Sequence, residues 1–248
     1  MIVCHDHRLI LVQVPHTAST DLGELLVKEY GGESILSKHS YLDELRVFYP
    51  DLYKNYFIIG GVRNPLTERV SVYHKLLSNH VGLYQGVPNS DRIRKARGAG
   101  QLIRRRMIRE AQSFSTYFIQ NVRWVYFSPI YICRERYDFI YSIEKLEQEW
   151  YQICELLGMK YSVIGHSNKT EGTPSKKALS IYNMYDSAAQ MHSTKIFGKF
   201  MEHFKYSFPV GWLHGDEATK LDVTLGYALR KSMWAIWSIQ NTLKHRGQ

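Results

Sequence analysis

Two segments of this chain carry the same order of features: an apolar run, a short polar turn and an amphipathic stretch. In the first segment, residues 9–14 predict a buried strand and residues 21–30 predict a helix. Leu22, Leu25 and Leu26 recur on one side of that helix. A strand–turn–helix unit directs backbone N–H groups and the positive end of a helix at one point, which favours a bound anion. The turn lacks the G-x-x-x-x-G-K-[ST] signature, so an ordinary nucleoside triphosphate loop is not indicated.

The second segment repeats this organisation. Residues 56–62 predict another strand, and residues 66–79 predict the helix that follows. Pro65 suits a first helical turn, where its missing N–H would have no partner in any case. Arg63 therefore follows a strand directly, and Ser71 lies two turns into the helix. A guanidinium fork with a hydroxyl group is typical of phosphate recognition, so Arg63 and Ser71 predict a second phosphate subsite.

These two segments resemble the donor-binding motifs of sulfotransferases. Residues 14–20, V-P-H-T-A-S-T, resemble the 5′-phosphosulfate loop P-K-T-A/G-S/G-T-S. Residues 62–65, V-R-N-P, with Ser71 and Tyr73 resemble the 3′-phosphate motif V-R-N-P…S-x-Y. His39 lies between them, where these enzymes carry a catalytic histidine. Further motifs follow in the family's order at residues 114–119, 137–146, 156–158, 166–170 and 197–208. The resemblance covers residues 8–208 and is nearest to the carbohydrate group that includes the uronosyl 2-O-sulfotransferases.

The resemblance implies a fold, a donor and a set of site residues. The expected fold is α/β, with a central parallel sheet flanked by helices in the P-loop nucleoside triphosphate hydrolase-like arrangement, and with the ligand at the carboxyl ends of the strands. The expected donor is 3′-phosphoadenosine 5′-phosphosulfate, and no metal is required. His39 is the expected general base, and His16 would stabilise the leaving group. The expected donor-binding residues are Pro15, His16, Thr17, Ala18, Ser19, Thr20, Arg63, Ser71, Lys169 and Thr170.

The chain departs from the family pattern at three positions. His16 stands where the family has a lysine that contacts the leaving group. Asp21 stands where the family has a serine, although a carboxylate in a first helical turn also interacts favourably with the helix dipole. Glu68 stands where the family has an arginine, and Arg69 comes one residue later. These departures leave the expected fold intact and bear on catalytic activity.

Length and composition predict one domain over residues 1–248, with residues 209–248 as a C-terminal helical extension. The extension is expected to pack on the core or to form a homodimer contact, and its basic residues leave a membrane-surface helix open as an alternative. No linker, internal repeat, signal peptide or membrane span is evident in the sequence. The three cysteines have no metal-ligand spacing and fit a reducing compartment. The expectation is a soluble, cytoplasmic enzyme of bacterial type.

The net charge of +9 favours an anionic partner. Much of it lies in residues 92–109, where Gly98 and Gly100 predict that the first part is a loop and residues 101–112 predict a helix. This stretch is either a solvated basic face or a loop that binds an anionic acceptor or gates the donor site. It lacks the interleaved aromatic residues that stack on bases, which disfavours a nucleic-acid surface.

Three functions stay open on these residues. The first is sulfuryl transfer to a hydroxyl or amine of a small natural product or carbohydrate. The second is a nucleotide kinase or phosphotransferase on the same fold, against which the missing Walker lysine argues. The third is a catalytically decayed protein that binds an anionic polymer. Each site residue also has a structural alternative: an N-cap cluster for residues 17–20, a loop histidine for His39 and an ion pair within the sheet for Arg63.

Overall fold

The computed structural model describes residues 1–80, 91–133, 136–165 and 181–246, which form two compact units. The first unit contains Met1–Arg63, Phe127–Asn168 and Leu225–Gln248. The second contains Asn64–Tyr126 and Lys169–Thr224. The single domain that the sequence predicts over residues 1–248 stays a prediction.

The described helices and strands are interspersed along the chain, which makes this a mixed α/β protein. The strands are β1 (Ile2–Cys4), β2 (Leu9–Val12), β3 (Glu33–Ser34), β4 (Phe57–Val62) and β5 (Phe139–Ser142). The helices are α1 (Ser19–Glu29), α2 (Leu42–Phe48), α3 (Pro50–Asn55), α4 (Pro65–Leu77), α5 (Asp91–Arg109), α6 (Phe114–Asn121), α7 (Pro129–Ile132), α8 (Leu146–Leu157), α9 (Ser187–His203) and α10 (Lys220–Arg246). A short 3₁₀ turn, Ile143–Lys145, joins β5 to α8.

The first unit is built on a five-stranded sheet with the order β3–β1–β2–β4–β5. β4 pairs in parallel with both β2 and β5, as the sequence predicts for the centre of the sheet. β1 pairs antiparallel with β2 and with β3, so the sheet is mixed rather than wholly parallel. The connection at residues 5–8 explains the antiparallel pairing of β1 with β2, because a parallel pair needs a crossover of a dozen or more residues.

Helices α1 and α8 provide the apolar side chains that cover the sheet of the first unit. Leu22 and Leu26 of α1 are fully buried, as are Trp150 and Ile153 of α8. They form one core cluster with Tyr141 of β5. α8 ends at Gly158, whose φ of +63° is a left-handed conformation that glycine adopts without strain.

The second unit has a separate core formed by α4, α5, α6 and α9. Leu66 and Val70 of α4 are fully buried in it, together with Phe118 of α6 and Phe197 of α9. Asn64 begins α4 by accepting a hydrogen bond from the Leu66 N–H at 2.9 Å, and Pro65 occupies the first turn as predicted. The helix therefore begins one residue earlier than the sequence predicts and ends two residues earlier.

The loop predicted around Gly98 and Gly100 is wrong, because α5 continues from Asp91 through both glycines to Arg109. A glycine inside a helix costs about 1 kcal/mol relative to alanine, which weakens a helix without ending it. Arginine, lysine, leucine and alanine fill most of the remaining positions, and all four are strong helix formers. The accumulated propensity outweighs the two glycines.

Helix α10 occupies much of the predicted C-terminal extension. Within the first unit, Trp234 of this helix is buried and its ring contacts Tyr41 with 4.9 Å between the ring centroids. Tyr227 lies two turns earlier on the same side of the helix, and its ring contacts Phe127 edge to face. α10 thus packs on the core of the first unit, and the homodimer contact stays a prediction. Of the helices that the structure describes, none has the length and apolar character needed to cross a bilayer.

Candidate functional site

The loop between β2 and α1 has an uncommon backbone conformation. His16 has a φ of +66° and Ala18 a φ of +55°, both in the left-handed region that residues other than glycine rarely adopt. Pro15 and His16 are exposed, whereas Thr17 and Ser19 are buried. Strained non-glycine residues of this kind persist where the surrounding structure holds them, and they cluster at functional sites.

Two hydroxyl groups hold this loop. The Thr17 Oγ1 and the Ser19 Oγ both donate to the carbonyl oxygen of Val14, each at 2.8 Å. The amide of Gln13 donates to the Ser19 carbonyl at 3.2 Å. Because both hydroxyl protons are directed at Val14, the donors that Thr17 and Ser19 offer to an anion are their backbone N–H groups.

Helix α1 begins at the end of this loop without a side-chain cap. Its N-cap residue is Ala18, whose methyl group accepts no hydrogen bond from the first turn. A helix start normally satisfies some of its four free N–H groups through a serine, threonine, aspartate or asparagine cap. An uncapped start that follows a strand is a ready position for an anion. α1 begins two residues earlier than the sequence predicts, so Ser19 and Thr20 belong to its first turn.

Tyr141 of β5 lies beneath the loop and was not found from the sequence. A Cβ atom on Gly61 would lie 2.5 Å from the Tyr141 ring and 2.8 Å from the Cβ of Thr17. The tyrosine is fully buried, and burial raises the pKa of its phenol well above the usual range. The glycine pair at positions 60 and 61 was the sequence signal, because a glycine inside a strand often marks a close approach.

His39 lies against the strand end that precedes the loop. Its Nδ1 is 2.6 Å from the carbonyl oxygen of Gln13. A carbonyl oxygen only accepts, so Nδ1 carries the proton, and Nε2 presents a lone pair whenever the ring is neutral. The turn around it is firmly held, because the Ser40 N–H donates to the Ser37 carbonyl and the Ser40 hydroxyl donates to Glu44.

Lys38 is a second residue that the sequence did not identify. Its ammonium donates to the Thr20 Oγ1 at 2.9 Å, so it lies at the first turn of α1. Residues 38 and 39 thus contact the two ends of the same loop. The only signal in the sequence was the position of Lys38 next to the candidate histidine.

Arg63 follows the carboxyl end of β4 and is half-buried. β2 and β4 are adjacent and parallel, with Val12 opposite Gly60. The loop that follows β2 and the arginine that follows β4 therefore emerge at the same edge of the sheet. The first unit brings together residues 15–20, His39 and Arg63 at that edge.

The remaining predicted donor residues belong to the second unit or lie outside the described residues. Ser71 is buried in α4 at 3% exposure. Tyr73, the other residue of that motif, donates its hydroxyl proton to the Gln112 carbonyl at 3.0 Å and packs in the core. Lys169 and Thr170 are outside the described residues.

Glu68 and Arg69 form a buried ion pair with 2.7 Å between Arg69 Nη2 and Glu68 Oε1. The Tyr126 hydroxyl donates to the other carboxylate oxygen at 2.9 Å, and the Arg69 guanidinium lies over the Tyr126 ring. Burial lowers the pKa of Arg69, but the Glu68 carboxylate more than offsets this and raises the pKa above its usual range. The departure at position 68 is thus part of a structural network in the second unit.

Asp21 lines an open cleft of about 720 Å³ along α1. The lining residues are Asp21, Glu24, Leu25, Lys28, Glu29, Tyr161, Ser162, Val163 and Gly165. Several of them repeat at helical spacing on one face of α1, and Asp21 belongs to that face. This agrees with a carboxylate that stabilises the helix dipole from the first turn.

Within the described ranges, no group of three or more histidine, cysteine, aspartate or glutamate side chains is arranged to hold a metal ion. The three cysteines are free thiols. Burial raises the pKa of Cys4 and of Cys154 to about 11 in each case, which makes both thiols poor nucleophiles at neutral pH.

Comparison with known proteins identifies one family. The family model described as "Sulfotransferase family" matches residues 1–207 of the chain. No curated protein and no solved structure matches it. The matched range contains the β2–α1 loop, His39, Arg63 and Ser71.

Proposed function

Since the chain belongs to the sulfotransferase family, we propose that it transfers a sulfuryl group from 3′-phosphoadenosine 5′-phosphosulfate to a hydroxyl or amine of a small natural product or carbohydrate. The observation that carries this proposal is the β2–α1 loop. Helix α1 begins there without a side-chain cap, and His39 Nδ1 donates a hydrogen bond to the Gln13 carbonyl just before the loop. The carbohydrate resemblance favours a glycan acceptor of the uronosyl type.

In this proposal the donor is bound through its two phosphate ends. Residues 15–20 bind the 5′-phosphosulfate, chiefly through backbone N–H groups and the positive end of α1. The resemblance assigns the 3′-phosphate to Arg63, which offers a charged fork, and to Ser71, which offers a hydroxyl donor. Lys169 and Thr170 belong to the same proposed site. No metal takes part.

The chemical step needs one base and one stabilising group. Nε2 of His39 accepts the proton of the acceptor hydroxyl as its oxygen attacks sulfur in line. The S–O bond to the 5′-phosphate breaks, and its electron pair stays on the phosphate oxygen. His16 donates a hydrogen bond to that oxygen as charge develops on it. Most of the rate acceleration comes from positioning and charge stabilisation, as in phosphoryl transfer.

Calorimetric titration with adenosine 3′,5′-bisphosphate, the product nucleotide, tests this proposal. We expect micromolar binding to the wild-type protein and a loss of about 10- to 100-fold in the Arg63→Ala variant, because a charged hydrogen-bond donor to the 3′-phosphate is removed. Arg46→Ala is the matched control, since Arg46 is exposed on α2 and pairs only loosely with Asp43. Folded wild-type protein that binds no bisphosphate at low salt would contradict the proposal.

A further inference from the structure

The turn at residues 37–40 contacts the β2–α1 loop at both of its ends. His39 Nδ1 donates to the Gln13 carbonyl before the loop, and Lys38 Nζ donates to the Thr20 hydroxyl after it. The turn itself is closed by the hydrogen bond from the Ser40 N–H to the Ser37 carbonyl at 3.0 Å. Two chemically different side chains are thereby held in fixed positions on one loop.

The start of α2 keeps this turn in place. Glu44 is buried at 1% exposure and accepts from the Ser40 hydroxyl at 2.9 Å and from the Tyr41 N–H at 3.1 Å. The bond from the Tyr41 N–H is the Glu44 half of a capping box at the first turn of α2, and the bond from Ser40 adds a second tie to the same carboxylate. The position of Lys38 therefore depends on the hydrogen bonds of Ser40 and Tyr41 to Glu44 as well as on its own bond to Thr20.

The charge of Lys38 lies beside the N-terminus of α1, which is an unusual place for a cation. Positive side chains are stabilised at helix C-termini, whereas the N-terminus of α1 already carries positive potential. Across the described residues, no carboxylate oxygen lies within 4 Å of the Lys38 ammonium, and its bonded partner is the neutral Thr20 hydroxyl. Asp21, in the same turn, lines the cleft on the neighbouring face of α1. An ammonium and a helix start without a side-chain cap are together complementary to an anion that contacts both.

We propose that the Lys38 ammonium binds the 5′-phosphosulfate group of the donor, in addition to the contact proposed for His16. This inference rests on the proposed function. When the S–O bond breaks and its electron pair stays on the 5′-phosphate, the Lys38 ammonium and the N–H groups of α1 stabilise the added negative charge. The acceptor proton goes to Nε2 of the adjacent His39. Residues 38 and 39 thus serve the leaving group and the acceptor, respectively.

Two nucleotides that differ only at the 5′ position test this role. Adenosine 3′,5′-bisphosphate carries the 5′-phosphate, and adenosine 3′-monophosphate does not. We expect Lys38→Ala to weaken binding of the bisphosphate by about 10- to 100-fold, the usual effect of removing a charged hydrogen bond. Binding of the monophosphate, titrated at millimolar concentration, stays within about twofold of wild type. Lys38→Arg retains the charge and most of the bisphosphate affinity.

The control removes the same charge from another place on the same helix. Lys28 is exposed at the other end of α1 and pairs with Glu29. Lys28→Ala is expected to leave the binding of both nucleotides unchanged, which separates a local contact from an effect of net charge. Circular dichroism and thermal melting confirm that each variant is folded.

The outcomes separate this inference from the proposed function. Wild-type protein that binds no bisphosphate overturns both. Strong bisphosphate binding that is equal in wild type and Lys38→Ala overturns the role of Lys38 alone. An equal loss for both nucleotides in Lys38→Ala shows that the lysine only tethers the turn to α1, and this also overturns the inference.

Discussion

At the scale of single residues, the conformation of His39 determines what its ring can do. The residue has a φ of +67°, and its Nδ1 is committed to the Gln13 carbonyl. This bond selects the neutral tautomer in which Nε2 is free of its proton, which is the form a general base needs. The same bond orients the ring, so that the base is positioned before an acceptor binds.

The His39→Asn substitution separates the hydrogen bond to the Gln13 carbonyl, which it can keep, from the base at Nε2, which it removes. The asparagine amide nitrogen replaces Nδ1 toward the Gln13 carbonyl, and asparagine tolerates a positive φ better than other residues. We expect His39→Asn to lower the rate of bisphosphate release from the donor by about 10²–10⁴-fold, because the base is lost. Binding of adenosine 3′,5′-bisphosphate is expected to stay at the wild-type value. The rate is measured with an acceptor selected by screening.

His214→Asn is the control for this substitution, since His214 is an exposed histidine in the second unit. It is expected to turn over at the wild-type rate. A rate for His39→Asn within about threefold of wild type would remove His39 from the catalytic role.

At the scale of helices and strands, small residues decide how closely the site elements approach. Gly61 of β4 lets the Tyr141 ring and Thr17 occupy the space where a side chain would begin. The loop after β2 therefore rests directly on β4 and β5. Gly198 of α9 is the opposite case, because a Cβ atom there would meet nothing within 4 Å.

Alanine at these two positions is expected to change the free energy of unfolding in opposite directions. Gly61→Ala forces a methyl group against a fully buried ring and should destabilise the protein by about 1–3 kcal/mol. Gly198→Ala relieves the entropy cost of glycine inside a helix and should stabilise it by about 0.5–1 kcal/mol. Urea unfolding monitored by circular dichroism measures both. Equal effects of the two substitutions would contradict the close packing at Gly61.

At the scale of the whole molecule, the net charge of +9 comes from basic residues with different roles, some bonded within the protein and some exposed to solvent. In the part of α5 whose side chains are described, Arg104 donates to the Leu77 carbonyl and Arg106 to the Asn121 amide oxygen. Arg105 and Arg109 lie one turn apart and are exposed, and Arg109 contacts Glu110 at 2.7 Å. α5 therefore presents some of its charge to solvent and uses the rest within the second unit.

Charge reversal distinguishes a solvated basic face from a surface for an anionic partner. Binding to heparin, a sulfated polysaccharide, is measured over a range of NaCl concentrations. We expect the double variant Arg105→Glu and Arg109→Glu to bind more weakly, with the slope of log affinity against log salt reduced by about two or more. The control is Lys28→Glu with Lys54→Glu, which makes the same change of net charge on exposed residues of the first unit. An equal effect in both double variants would show that net charge alone attracts the polymer.

Local features of the chain predicted much of this molecule. Strands β2 and β4 and the helices after them follow from apolar runs, from Pro65 and from helical spacing, all of which act between near neighbours. The order of short motifs predicted a sulfotransferase, and the family match over residues 1–207 confirms that family. The predicted donor-binding and catalytic residues stay predictions. Helix α5 was predicted incorrectly: the two glycines indicated a loop, but the helix-forming residues around them keep this segment helical.

The tertiary structure alone decided the contacts that give the candidate site its chemistry. The Nδ1 bond of His39 reaches a carbonyl 26 residues away, and Lys38 meets Thr20 across 18 residues. The Tyr141 ring arrives beneath Thr17 from a strand more than a hundred residues later. The sequence by itself determined strands β2 and β4, the helices that follow them and the family to which the chain belongs, because those properties are set by near neighbours and short motifs. Tautomer, charge placement and close packing were decided only in the fold, because they depend on groups that the chain brings together from distant positions.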